Sequence, residues 1–86
     1  MDNYMGDNMS DEINADKILF MLQEKFPGAK IIVQGDDGVH FNAEIIWEGF
    51  KGLTRIKQHQ LVNAILEKYI SSGELHALSL KTRASD

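Results

Sequence analysis

The hydrophobic pattern of the first half of the chain predicts one helix and two strands. Five apolar residues recur at helical spacing and predict an inward-facing stripe: Ile13, Ile18, Leu19, Leu22 and Phe26. We expect this helix to start near Ser10, which can cap its free amides, and to stop at Pro27-Gly28. The β-branched residues within 29–34 predict a strand, and residues 35–38 predict a turn. The alternation over residues 40–47 predicts a second strand with one largely solvated face.

The second half predicts a longer helix and a third strand. Residues 48–53 contain two glycines and predict a short irregular or single-turn segment. The longer helix follows, with Thr54 as its expected N-terminal cap and Gly73 at its expected end. Residues 75–81 then predict a strand, with His76 on the same face as the leucines at positions 78 and 80. The helix carries a broad apolar face that we expect to be buried: Ile56, Leu61, Val62, Ile65, Leu66, Tyr69 and Ile70.

These elements predict an α+β protein, a small α/β sandwich in the order helix, strand, strand, turn, helix, strand. A hairpin joins the first two strands, whereas a helical connection favours a parallel second and third strand, so the three-stranded sheet is mixed. We expect the domain to span residues 10–82. A disordered acidic tail is expected at residues 1–9 and a short C-terminal tail at residues 83–86.

Composition narrows the classes of function. The 86 residues include no cysteine, which excludes disulfides, thiolate catalysis and an all-cysteine metal site built from this chain alone. Residues 1–16 hold five acids and no base, whereas the remainder holds eight acids and nine bases. The sequence has no nucleophile elbow, phosphate-binding glycine fingerprint or zinc-protease motif, so we expect no enzymatic activity. It also has neither a membrane-length apolar run nor the features of a signal peptide, so we expect a cytoplasmic protein without membrane contact.

Histidines are the first candidates for chemistry. His76 lies in an otherwise apolar strand pattern, where an imidazole is either a hydrogen-bonded core residue or a metal ligand. His40 follows an acidic turn, and His59 lies within the second predicted helix. The three histidines have no recognised zinc spacing.

A basic cluster marks the start of the second predicted helix. Lys51, Arg55 and Lys57 concentrate positive charge there, which is either an ordinary solvated face or a nucleic-acid contact. Beside them, residues 49–52 spell GxxG, the loop by which KH modules clamp nucleotides. Any glycine-rich turn can give the same short pattern.

Three blocks together, in this order and at this spacing, resemble the BolA family. They are Gly38-Val39-His40-Phe41, the run FKGLTRIKQHQLV over residues 50–62, and the run ELHALSLKT over residues 74–82. The resemblance extends over about residues 13–82. It implies an α/β sandwich related to the second type of KH domain.

The resemblance also implies an adaptor without catalysis. BolA proteins pair with monothiol glutaredoxins and can share a bridged two-iron iron–sulfur cluster, for which glutaredoxin and glutathione supply thiolates. The BolA histidine of the last strand matches His76 here. The second family ligand is a histidine or cysteine in the loop between the first two strands. In this chain that loop holds Asp36 and Asp37, which leaves His40 as the nearby nitrogen donor.

Other implications concern partners. Arg55 and His59 match the helix motif of the family, where we expect helix packing or partner contact. The alternative function is a DNA-binding transcriptional regulator that uses Lys51, Arg55 and Lys57. Alone, the chain is expected to be a monomer or a weak homodimer.

Overall fold

The secondary-structure order of the protein is the predicted one, except that two helices stand where the sequence predicts the second helix. The computed structural model describes residues 13–35, 37, 40–75 and 77–85. The elements are α1 (Ala15–Lys25), β1 (Lys30–Gln34), β2 (Phe41–Ile46), a 3₁₀ helix (Glu48–Phe50), α2 (Arg55–Ile65), α3 (Glu67–Ser71) and β3 (Leu78–Arg83). This confirms the α+β class. The predicted tail over residues 1–9, the predicted cap at Ser10, and both Asp36 and His76 lie outside the described residues.

Helix α1 begins later than predicted, because Asn14 caps it. The Asn14 Oδ1 atom accepts a hydrogen bond from the Lys17 amide at 2.8 Å, which satisfies one of the amides that a helix start leaves unpaired. Ile13 precedes the cap and Ile18 lies one turn inside, and both are buried. These are the positions of a hydrophobic staple, which fixes the direction in which the chain enters the helix.

The sheet is mixed, with β2 in the centre. Strand β1 pairs antiparallel with β2, from Lys30 opposite Ile46 to Gln34 opposite Asn42. Strand β3 pairs parallel with β2, from Phe41 opposite Leu78 to Ile46 opposite Arg83. Both pairings are as the sequence predicts, since the hairpin is short and the other connection is helical.

Helices cover one face of this sheet, and no described element covers the other, which we call the open face. Helix α1 packs on β1, and α2 packs on β3. On the covered side Phe41, Ala43 and Ile45 are buried, whereas the residues between them, such as Asn42, reach the open side. The apolar half of the alternating pattern therefore forms the core, as predicted.

The connection after β2 is held by packed aromatic rings. Trp47 lies 4.8 Å from Phe26 and 5.3 Å from Phe50, measured between ring centroids. Its Nε1 atom donates a hydrogen bond to the Pro27 carbonyl at 3.0 Å. The rings therefore tie the end of α1 to the 3₁₀ helix.

The second helical region departs from the prediction in two ways. It is not one helix, since α2 ends at Ile65 and α3 begins at Glu67 after a turn at Leu66. Its apolar face is also narrower than predicted, because Ile56 and Leu61 are 70% and 43% exposed. Val62, Leu66 and Tyr69 are buried as predicted, and Gln58 is an unpredicted polar member of the same inward row.

Strand β3 starts later than predicted and extends to Arg83, one residue beyond the predicted domain end. The predicted first strand residue, Leu75, belongs to the helix end: its amide donates to the Tyr69 carbonyl at 3.0 Å, and its side chain is buried. Gly73 supports this closure with a φ of 86°, a left-handed conformation that glycine adopts without a steric penalty.

Candidate functional site

His40 and Asp37 form a side-chain pair just before β2. Both oxygens of the Asp37 carboxylate are used: Oδ1 accepts from the His40 amide at 2.8 Å, and Oδ2 lies 2.8 Å from Nδ1 of the ring. With its proton on Nδ1 the imidazole donates to the carboxylate, which leaves Nε2 as the nitrogen that can bind a metal. The His40 side chain is 73% exposed, so a partner can reach it.

The pair lies at the end of the sheet where β2 and β3 begin side by side. The Phe41 amide, directly after His40, donates to the carbonyl of Ala77 at 2.9 Å. Ala77 directly follows His76 in the sequence, although His76 itself is outside the described residues. We call this end of the sheet, with Asp37, His40, Phe41 and Ala77, the histidine end. A shallow depression of about 300 Å³ adjoins it and is lined by Gln34, Gly35, Asp37, His40 and Asn42.

Gly35 has a packing role at the histidine end. The Phe41 ring lies so close to Gly35 that a Cβ atom on residue 35 would approach its Cδ1 atom to 2.3 Å. The buried Phe41 ring therefore requires glycine at position 35, directly after β1.

The two glycines of the GxxG pattern also have structural explanations. A Cβ atom on Gly49 would lie 2.5 Å from the Trp47 ring, and Gly52 has a φ of 86°. The loop ends at Thr54, whose Oγ1 accepts from the Lys57 amide at 3.2 Å and caps α2 as predicted. Ring packing and backbone conformation account for both glycines without a nucleotide.

The basic residues of the predicted cluster do not share one cavity. Lys51, Arg55 and Lys57 are all exposed. Arg55 lines a cavity of about 410 Å³ between α2 and β3, and neither lysine belongs to its lining. His59, one turn after Arg55, lines the same cavity, so the two predicted partner-binding residues are brought together.

Sequence reasoning missed several residues near these sites. The hydrogen bond between Asp37 and His40 was not predicted, although the spacing Asp-x-x-His was the available signal. Thr82 and Arg83 line the cavity that holds Arg55 and His59, but no sequence signal singled them out. His40 lines a different cavity from His59.

Two further properties concern metals and membranes. Within residues 13–35, 37, 40–75 and 77–85, no three or more histidine, cysteine, aspartate and glutamate side chains cluster in a way that could hold a metal ion. Over the same part of the chain, every helix is too short or too polar to cross a bilayer.

Comparison with known proteins identifies the family. The family model described as BolA-like protein matches residues 22–86. A BolA-like protein of Dictyostelium discoideum is 48% identical over 44 residues, which span 51% of this chain and 39% of that protein. The structure of BolA1 from Arabidopsis thaliana has a TM-score of 0.70 and 30% identity, with 81% of this chain and 89% of that chain covered. The BolA domain of SufE1 from the same plant also has a TM-score of 0.70, with 29% identity and coverage of 81% and 90%. The extent of the family match shows that this chain belongs to the BolA-like family.

Proposed function

We propose that this chain is a non-catalytic adaptor in iron–sulfur cluster trafficking or iron homeostasis. It binds a monothiol glutaredoxin and shares with it a bridged two-iron cluster, to which glutathione also contributes. His76 is the proposed histidine ligand, and His40 is the proposed second ligand. The observation that carries the proposal is the Asp37–His40 pair at the histidine end, where the segment after His76 meets β2.

The donor chemistry of the chain suits a shared cluster. The chain has no thiol, so every thiolate must come from the partner or from glutathione. An imidazole ligand is commonly held by a carboxylate on its other nitrogen, which fixes the ring and raises its basicity. Asp37 stands in that relation to His40. When bound, a cluster with imidazole in place of a thiolate carries less negative charge and has a higher reduction potential, which suits transfer.

The exposure of His40 supports docking between two proteins. A ligand to a shared cluster has to reach across an interface, and the His40 side chain is 73% exposed at the mouth of a depression of about 300 Å³. Asp37 is 57% exposed, and its carboxylate bonds with both the backbone amide and the ring of His40. The ring is therefore oriented before a partner arrives, which lowers the entropic cost of binding.

Co-expression with a monothiol glutaredoxin tests the proposal. We expect the purified complex to show a visible absorption spectrum of a two-iron cluster, and the reduced complex to show an electron paramagnetic resonance signal typical of mixed thiolate and imidazole ligation. His76→Ala should abolish that mixed-ligand signal. An unchanged signal in a complex that still forms would show that His76 is not a ligand.

Variants at the loop separate ligation from positioning. If His40 ligates, His40→Ala should perturb the signal as strongly as His76→Ala, whereas a smaller effect would mean that a loop carboxylate or water replaces it. Asp37→Asn should leave the complex intact and shift the resonance signal, because the ring loses its anionic partner. Asp16→Asn is the matched control, since Asp16 is an exposed acid on α1. Equal effects of the two acid variants would argue against a role for Asp37.

A further inference from the structure

Within the part of the chain that the structure describes, strand β3 has one backbone edge that pairs with no other strand. It is the last strand of the described sheet, with β2 on one side only. The carbonyls of Ala77 and Arg83 accept hydrogen bonds from β2 and its extension, donated by the Phe41 and Trp47 amides. Along a strand, successive residues direct their N–H and C=O groups to opposite sides. The backbone groups of positions 78, 80 and 82 therefore point away from β2, toward the free edge.

Helix α2 forms a wall beside this edge. Arg55, His59 and Asn63 are spaced by four residues and form one row on the helix. This row lines two cavities of about 410 and 490 Å³, which share His59 and Leu80 and so adjoin each other. Together they form a continuous groove between α2 and β3, which we call the β3 groove.

The two ends of the β3 groove differ in chemistry. One end is basic, since Arg55, Lys81 and Arg83 line it and Glu44 is the single acid of its lining. The other end is apolar and is formed mainly by Ile70, Leu75, Leu78 and Leu80. An occupant that complements the whole groove has to be anionic at one end and apolar at the other.

Two buried polar atoms in the groove have no hydrogen-bond partner. They are Nε2 of His59 and Oγ1 of Thr82, and neither has a partner among the described residues. Both residues line the basic cavity. Buried polar groups in native proteins are nearly always paired, because an unpaired one keeps the full cost of its removal from water. These two atoms are therefore candidates to bond with a polar ligand of the groove.

We propose that the β3 groove binds an extended acidic peptide segment of a partner protein, which adds to β3 as a fourth strand. Its main chain bonds with the edge groups of Leu78, Leu80 and Thr82. Its acidic side chains lie at the basic end, near Arg55 and Arg83, and an apolar side chain fills the other end. A peptide suits this edge better than nucleic acid does, because the edge offers alternating donors and acceptors whereas phosphates only accept.

The proposal does not depend on the cluster, so its test uses the full chain without iron. We would titrate ¹⁵N-labelled protein with three synthetic octapeptides that alternate valine with glutamate, with glutamine or with lysine. The glutamate peptide should bind about tenfold more tightly than the lysine peptide at physiological salt. The amides of Leu78, Leu80 and Thr82 should shift more than those of Ser79 and Lys81, whose N–H groups face β2.

Charge reversals locate the acidic end. Arg55→Glu and Arg83→Glu should each weaken the glutamate peptide about fivefold or more and strengthen the lysine peptide. Lys30→Glu is the matched control, because Lys30 lies on β1 at the opposite edge of the sheet. The affinity of this variant for each peptide should remain within about twofold of that of the unmodified chain, a range that includes the general effect of the changed net charge. If a charge-reversal variant fails to fold, the proposal is still tested by the unmodified chain. The relative affinities of the three peptides and the set of amides that shift then decide whether the groove binds an acidic strand.

Several results would overturn the proposal. Equal binding of the glutamate and lysine peptides would remove the basic end as the recognition element. Shifts confined to the open face, around Asn42 and Ser79, would place the peptide elsewhere. A DNA duplex that moves the edge amides when the glutamate peptide does not would make nucleic acid the occupant. A dimer that already protects these amides would assign the edge to a second copy of the chain.

Discussion

Replacing Gly49 with alanine tests whether ring packing explains the GxxG pattern. Gly49 lies in the 3₁₀ helix, and its φ is not in the left-handed region, so backbone preference alone predicts that alanine stabilises the protein by about 0.4–1 kcal/mol. The packing around Gly49 instead predicts that alanine destabilises the protein. The added Cβ atom would lie 2.5, 2.6 and 2.7 Å from three atoms of the outer Trp47 ring, whereas carbon atoms pack at about 3.5–4.0 Å.

The Trp47 ring cannot move freely to relieve this clash. It packs between Phe26 and Phe50 and donates a hydrogen bond to Pro27. Overpacking of this kind costs about 1–3 kcal/mol, and loss of the hydrogen bond adds about 0.5–1.5 kcal/mol. After subtraction of the favourable backbone term, we expect Gly49→Ala to lower the free energy of unfolding by about 2 kcal/mol. For a domain of this size the melting temperature then falls by roughly 10 °C.

Urea unfolding followed by far-ultraviolet circular dichroism measures the effect. Lys51→Ala, an exposed change two residues away, is the control and should stay within about 0.5 kcal/mol. In a Trp47→Phe background the outer ring is absent, so Gly49→Ala should cost at least about 1 kcal/mol less than in the unmodified chain. An equal cost in both backgrounds, or a stabilising effect in the unmodified chain, would refute the packing argument.

Three other predictions concern the fold and the basic cluster. Asn14→Ala should lower the free energy of unfolding by about 1 kcal/mol, because it removes the cap of α1, and Asn14→Ser should restore most of it. Leu66→Ala should cost about 2–5 kcal/mol, whereas Ile56→Ser should change stability by less than about 0.5 kcal/mol, because only Leu66 is buried; thermal denaturation distinguishes them. Duplex DNA should bind weakly at physiological salt by fluorescence anisotropy, and sub-micromolar affinity that Lys57→Ala abolishes would favour the regulator alternative.

Strand β2 was predictable because local pattern and tertiary burial agree there. Apolar residues alternate with polar ones along β2, and the sheet has one covered and one open face, so Phe41 and Ile45 face inward as the pattern requires. The mixed topology was predictable for a similar reason, since the length of each connection limits the direction of the next strand.

Helix α2 was mispredicted because a polar side chain takes a core position. Gln58 is buried and donates from Nε2 to the Leu53 carbonyl at 2.9 Å, which satisfies a loop carbonyl that an apolar side chain would leave unpaired. Gln58 is one turn before Val62 on the inward row, so Ile56 faces solvent. The break between α2 and α3 at Leu66 was not predicted, because no proline or glycine lies beside it in the sequence.

The candidate site was predictable only in part. His40 could be named from the sequence, but its pairing with Asp37 depends on how the loop folds back, which a spacing of three positions does not determine. The β3 groove was not predicted at all. It is created by the packing of α2 beside a strand edge, and Arg55 and Arg83, which both line its basic end, are 28 positions apart in the sequence.

The central position of β2 has a consequence for how the chain folds. In the hairpin, Gln34 pairs with Asn42 only eight positions later, whereas each β2–β3 pair, such as Phe41 and Leu78, is separated by 37 positions. For a flexible chain, closing the longer loop costs about 1.4 kcal/mol more entropy. We therefore expect the hairpin to form first and β3 to dock last. Substitutions in β3 should then have low kinetic φ-values, because the contacts of β3 form after the transition state of folding. The edge that we propose for a partner strand then exists only in molecules in which β3 has docked on β2. A partner that binds this edge therefore selects molecules that have finished folding.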